Sequence, residues 1–260
     1  MESKTNEPYL HEPNADYYTM PDSDRRMPRA TVITGVIAKP DLIRWIGKNE
    51  RDTVTAAALK VYERAYRQDR TLTPGEFESR LADEVNIFAK DSKMNRARDI
   101  GVEAHEYLRA YHMGESLPVP SATVSVMVDQ ATTWCKDTNL LPAPDGVEKR
   151  VWSIFDWWAG TLDLLCQLEL PGLGMVNAVV DWKTGAGIYL EYRLQIAAYG
   201  AALKHMGVTT GWPHGVIVRM PKPEHRSQKL DVEILRPQEM QGYYTTFLAA
   251  RQLYKQREGY

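Results

Sequence analysis

The apolar positions change their period along the chain, and the change divides it. Between residue 29 and about 113 they recur every three to four residues, the spacing of one helix face. Ala57, Val61 and Ala65 form one such face, with Thr53 read as the cap of that helix. Thr73-Pro74-Gly75-Glu76 has the form of a capping box with proline at the first helical position, opening a helix with Phe77, Leu81, Val85 and Phe88 on one side. A pattern over about 91–113 lines up Met94, Ala97, Gly101, Ala104, Leu108 and Tyr111. Residues 128–135 read as a further helix. Past the loop signal Pro142-Ala143-Pro144-Asp145-Gly146 the helical period is lost. Residues 149–157 and 158–168 are near-continuously apolar and aromatic, as in strands covered on both faces. The turn signal Pro171-Gly172-Leu173-Gly174 separates them from a further apolar run ending in Asp181-Trp182-Lys183-Thr184, and predicts a hairpin. Tyr192, Ile196, Tyr199, Leu203 and Met206 restore helical spacing over 189–206. Residues 216–220 and 230–235 read as two more strands. The stretch 238–257 reads as a closing helix with Met240, Tyr243, Phe247 and Tyr254 inward.

The fold class this predicts is α/β, with helices preceding and flanking a central sheet. Residues 1–28 are polar, contain proline and have no period, so a flexible tail is expected. Arg25, Arg26 and Arg29 are its basic end, either a solvated charge run or a phosphate contact. Residues 29–260 are expected to form a single domain, with a helical part to about 90 and a core over about 91–260.

Composition narrows the function classes. A hydrophobic share of 43% and a charged share of 25% are those of an ordinary globular chain, and no apolar run approaches the roughly 20 residues of a membrane span. A net charge of −2 excludes a generally basic nucleic-acid binder, so any nucleic-acid path must be local. The start of the chain lacks the basic and apolar regions of a signal peptide, and a cytoplasmic setting is expected by default. Cys135 and Cys166 have no metal-binding spacing and read as reduced core thiols.

The candidate chemistry lies in the predicted hairpin and around it. Gly160-Thr161-Leu162-Asp163 sits in one strand and Asp181-Trp182-Lys183 ends the other, so the hairpin can bring two carboxylates and an ammonium together. Asp181 and Lys183, two apart on a strand, share a face. Gln195 and Tyr199, four apart on a helix, also share one. Two carboxylates and an ammonium in a buried place are costly to desolvate unless a cation or mutual pairing neutralises them. Upstream, Gly101-Val102-Glu103-Ala104-His105 places His105 at the border of an apolar stripe.

The order Gly-x-x-x-His, Gly-x-x-Asp, Asp-x-Lys, Gln-x-x-x-Tyr resembles the RecB-like branch of the PD-(D/E)xK nuclease superfamily, and most nearly its phage and mitochondrial genome maintenance exonucleases. The resemblance implies a restriction-endonuclease-like core, a mixed sheet flanked by helices. It implies Mg²⁺ or Mn²⁺ held by His105, Asp163, Asp181 and the backbone carbonyl of Trp182. Lys183 would then position water and offset charge, while Gln195 and Tyr199 support the site. Glu148 stands where the family often has a carboxylate, and equally reads as an exposed Glu at the start of a strand. Lys93, Arg96, Arg98 and Arg193 are candidate backbone contacts for DNA, and Trp45, Trp157 and Trp158 candidate stacking surfaces. The implied activity is a metal-dependent DNA exonuclease acting on single-stranded ends, in company with replication or recombination proteins and away from membranes. Some relatives, the CRISPR adaptation nucleases among them, hold an Fe–S cluster with four cysteines; with two, no cluster is expected here. An endonuclease of the same fold, a non-catalytic scaffold and a purely structural ion-pair cluster are the competing readings.

Overall fold

Two hydrophobic periods become two kinds of packing in the computed structural model, which describes residues 8, 15–21, 25–37, 40–90, 93–223 and 228–259, with backbone alone for 40–42, 45, 89, 90, 93 and 94. The described chain packs as two units. One is 38–101, and the other is made of 1–37 and 102–260. Periodicity predicts one domain over 29–260 with a division near 90; the described packing changes within a helix, at Gly101.

The first unit is helical. Helix α2 (Pro40–Arg67) and α3 (Pro74–Lys90) pack together, with Ala57, Val61 and Ala65 buried as their spacing predicts. The capping box at α3 is formed: Glu76 N donates to Thr73 Oγ1 and Thr73 N to Glu76 Oε2. Thr53 is not a cap. It lies inside α2, and its hydroxyl donates back to Asn49 O, the usual use of a threonine in mid-helix.

The second unit is α/β. Strands β3 (Leu141–Ser153), β4 (Trp158–Leu170), β5 (Gly174–Lys183), β6 (His214–Arg219) and β7 (Asp231–Leu235) form one sheet in chain order. Only β5 and β6 run parallel, because α6 (Leu190–His205) crosses between them; the sheet is therefore mixed. One face is covered by α6, α7 (Pro237–Glu258) and the short α1 (Ala30–Thr34), which share a core with Leu162, Leu165, Val179 and Ile217. Trp182 points away from Asp181 and Lys183, its neighbours on β5. It meets His112 of α4 (Lys93–Met113) in a stack at 5.8 Å and Trp134 of α5 (Ala122–Asp137) edge-on at 5.9 Å. Burial pushes the His112 imidazole down to about 4, so it packs as a neutral ring. Among the described residues no helix is long and apolar enough to cross a membrane.

Two expectations need correction. Pro142 to Gly146 is not a free loop but part of edge strand β3, where the pairing with β4 shifts between Pro142 and Val147. Edge strands and bulges tolerate prolines because ladder donors are not required there. Gly146 is required: a Cβ at that position would lie 2.5 Å from Leu165 O. The second correction concerns 1–28. Strands β1 (Tyr17–Thr19) and β2 (Arg26–Pro28) pair into a small sheet whose Tyr18 and Met27 are fully buried against Ala159. Two apolar side chains on one strand pair sufficed to anchor a segment whose composition reads as polar. Residues 1–7, 9–14 and 22–24 lie outside the described residues.

Candidate functional site

The hairpin of β4 and β5 forms as expected, through the turn at 171–173, with Leu164 opposite Val180 and Leu170 opposite Gly174. On its inner side four of the predicted residues make a continuous chain. Gln195 Nε2 donates to Tyr199 OH at 2.9 Å, Lys183 Nζ donates to Gln195 Oε1 at 3.5 Å, and Lys183 Nζ lies 2.6 Å from Asp181 Oδ2. The glycine of Gly-x-x-Asp has a physical reason: a Cβ on Gly160 would come within 2.6 Å of Tyr199 Cε1, so the ring packs directly against bare strand backbone. Tyr192, one turn before Gln195, places its ring 4.9 Å from Lys183 Nζ.

Asp181 is 1% exposed, and beyond the Lys183 ion pair neither of its oxygens accepts a hydrogen bond. Burial raises its carboxyl; the Lys183 ammonium opposes that, and the charge of Asp163 adds to it. Burial works against the Lys183 ammonium, but Asp181 and Asp163 more than offset it, so the amine stays charged. Burial also raises the Tyr199 phenol well above its ordinary value, and its hydroxyl keeps its proton.

The outer side is built from three elements. The β4–β5 ladder stops at Leu164 and Val180, and beyond it the Trp182 amide donates to Asp163 Oδ2 at 2.8 Å. The other Asp163 oxygen lies 3.6 Å from His105 Nδ1, reaching across from α4. Glu148 completes the group: ligand atoms of His105, Glu148 and Asp163 all lie within 4.8 Å of one another. Glu148 is exposed as a residue, yet desolvation of its carboxyl and the adjacent charge of Asp163 push it up to about 7.

The structure sets Glu148 beside Asp163 and leaves it exposed as a residue. The signal was register. Val147 pairs with Leu164 and Lys149 with Leu162, so Glu148 falls opposite Asp163. The apolar pattern predicts a strand running on to Trp157, whereas 154–157 are the turn itself, and the register follows from where that turn closes.

The remaining candidates divide. Arg193 is not available to a phosphate backbone: its fork is filled by Glu233, with contacts of 2.5 and 2.7 Å. Arg98 pairs with Asp99 at 3.3 Å, Arg96 is exposed but not without an interaction, and the Lys93 side chain lies outside the described residues. Trp182 is held in the ladder opposite Val218. Trp158 is fully buried and is core, not a stacking surface; Trp157 lies under Arg25, whose Cζ is 3.8 Å from the ring centre. The Trp45 side chain lies outside the described residues. Both thiols are buried, with Cys135 pushed up to about 12 by burial and Cys166 raised further.

No protein-family model and no curated protein matches this chain.

Proposed function

We propose that this site is the centre of a metal-dependent nuclease that hydrolyses phosphodiester bonds in DNA, with single-stranded ends as preferred substrate. One observation carries the reading: the ligand atoms of His105, Glu148 and Asp163, two of them hard carboxylate oxygens, converge within 4.8 Å, beside an ammonium held 2.6 Å from a buried carboxylate. The donor set suits a divalent cation of the Mg²⁺ or Mn²⁺ kind, which takes carboxylate oxygens and retains waters. Two further features fit a cation: Asp181 oxygens that are buried without hydrogen bonds, and a Glu148 carboxyl that its neighbours force upward.

His105, Glu148 and Asp163 would hold the ion, with Asp181 at its inner side. A bound divalent ion lowers the pKa of water and neutralises charge on phosphoryl oxygens. Lys183 remains an ammonium and so supplies fixed positive charge where negative charge develops in the transition state. Gln195 and Tyr192 hold that ammonium from two sides, and Tyr199 fixes Gln195. The resemblance to RecB-like exonucleases favours ends over internal sites.

The test is a titration of Mg²⁺ or Mn²⁺ with linear and covalently circular single-stranded DNA of one sequence. Metal-dependent loss of the linear form alone supports an exonuclease, and equal cutting of the circle makes it an endonuclease. Binding without cleavage makes the site a scaffold. With neither, Lys183 and the carboxylates are a structural ion-pair cluster.

A further inference from the structure

The turn that joins β3 to β4 is held rigidly, yet it presents apolar side chains to solvent. Residues 154–157 form a four-residue loop closed by the Ser153–Trp158 pair, with Trp157 in the left-handed region at φ 56°. Ser153 is buried; its hydroxyl donates to Asp156 Oδ2 at 3.0 Å and accepts from the Asp156 amide at 3.1 Å. Tyr244 of α7 donates to the same Asp156 oxygen. Trp157 is tied on two sides, its Nε1 donating to Arg26 O at 2.9 Å and its own carbonyl accepting from Arg251 Nε at 3.4 Å. Clamped in this way, the loop leaves Ile154 57% and Phe155 76% exposed.

Holding the loop does not require these two side chains, since the contacts that fix it come from Ser153, Asp156 and Trp157. The charged groups set against the loop are mostly cationic. Arg25 lies over Trp157 and is exposed, as is Arg26, and Arg251 reaches the Trp157 carbonyl. The acid of the loop, Asp156, is already taken by Ser153 and Tyr244. An exposed ring on a rigid support with cations around it suits a base stack flanked by phosphates.

We propose that this tip is a second contact for single-stranded nucleic acid, stacking a base on Phe155 and taking phosphates on Arg25 and Arg26. The proposal rests on the nuclease reading of the metal site and extends it to how the strand is gripped. Trp158 and Asp163 are five residues apart on β4, about 17 Å at about 3.3 Å per residue. At a stacked spacing of about 3.4 Å, that is about five nucleotides between the tip and the site of cleavage. Oligonucleotides too short to span it lose the contact.

The experiment measures binding of fluorescent oligothymidines of about four and about twelve nucleotides, with Ca²⁺ replacing Mg²⁺, for wild type, Phe155→Ala, Phe155→Trp and Arg25→Gln. Phe155→Ala is expected to weaken the longer oligonucleotide about tenfold, the loss of one base stack, and to leave the shorter one unchanged. Phe155→Trp restores the binding, and Arg25→Gln lowers the salt slope by about 0.7. Thermal midpoints of the Phe155 variants stay at the wild-type value, because that side chain is exposed. Phe155→Ala binding as well as a wild type that cleaves would overturn the tip and leave the nuclease standing. A wild type that neither binds nor cleaves overturns both. Self-association in the ultracentrifuge that Phe155→Ala abolishes, without any change in oligonucleotide binding, would make the tip a protein contact and overturn the proposal.

Discussion

The inner and outer halves of the site solve the cost of buried charge in opposite ways. Inside, Asp181 and Lys183 neutralise each other at 2.6 Å. Outside, Glu148 and Asp163 face the same small space with His105, and the two carboxylates repel. The inner half therefore holds itself together, whereas the outer half keeps two carboxylates facing each other. Changes in the two halves should act on stability with opposite sign.

The largest effects are on catalysis. Asp163→Asn and Asp181→Asn are each expected to reduce metal-dependent cleavage at least about 10²- to 10³-fold, the scale of losing one preorganised charge-stabilising group. Steady-state cleavage of a labelled strand reads this, and wild-type rates in Asp181→Asn would remove the inner half from the site. Next comes stability. Lys183→Ala strands a buried carboxylate and is expected to cost roughly 3 kcal/mol in urea unfolding, most of it recovered in the Asp181→Asn/Lys183→Ala double variant. Additive losses would mean that the two residues do not depend on each other.

The outer half should respond to pH. Glu148 is raised from 4.5 to about 7 by folding, so the folded chain holds its proton more tightly than the unfolded chain does. Its contribution is present in full below pH 4.5 and is lost as pH rises through about 7. In EDTA, the melting temperature should fall over that interval; Glu148→Gln, or added Mn²⁺, should flatten the decline. An unchanged decline in Glu148→Gln would show that other groups carry it. Calorimetry of Mn²⁺ binding should show Glu148→Gln at least about tenfold weaker. The smallest effect is at Tyr199→Phe, which removes the hydroxyl that Gln195 donates to and is expected to cost about 1 kcal/mol in unfolding, with a few-fold loss in turnover.

The sequence was most legible where a local pattern dictates a local structure. The helix faces of α2, α3, α6 and α7, the capping box at Thr73 and the β4–β5 hairpin follow from period and turn residues. The pairs Tyr199–Gln195 and Lys183–Asp181 were also readable, because each lies four or two residues apart on a single element, whereas the link between them, Lys183 to Gln195, joins β5 to α6. Glu148 was not, since its meeting with Asp163 depends on where a turn closes and on a shift in register between strands. Arg193 misled for a similar reason: Glu233, forty residues on, fills its fork, and no local signal announces that partner. Tyr18 and Met27 anchor a segment whose average polarity hides them.

The interrupted unit also has a timetable. Tyr18 donates to or accepts from Thr161, and Tyr17 meets Tyr254 at 2.8 Å, so the first strands are secured by parts of the chain that are made much later. The helical unit over 38–101 has all its own residues once Gly101 has left the ribosome. At about 5–20 residues per second, Tyr254 follows roughly eight to thirty seconds later. Through that interval the nascent chain carries a finished helical pair between an unpartnered leader and an unmade sheet, and the leader's buried tyrosine has nowhere to dock until β4 arrives.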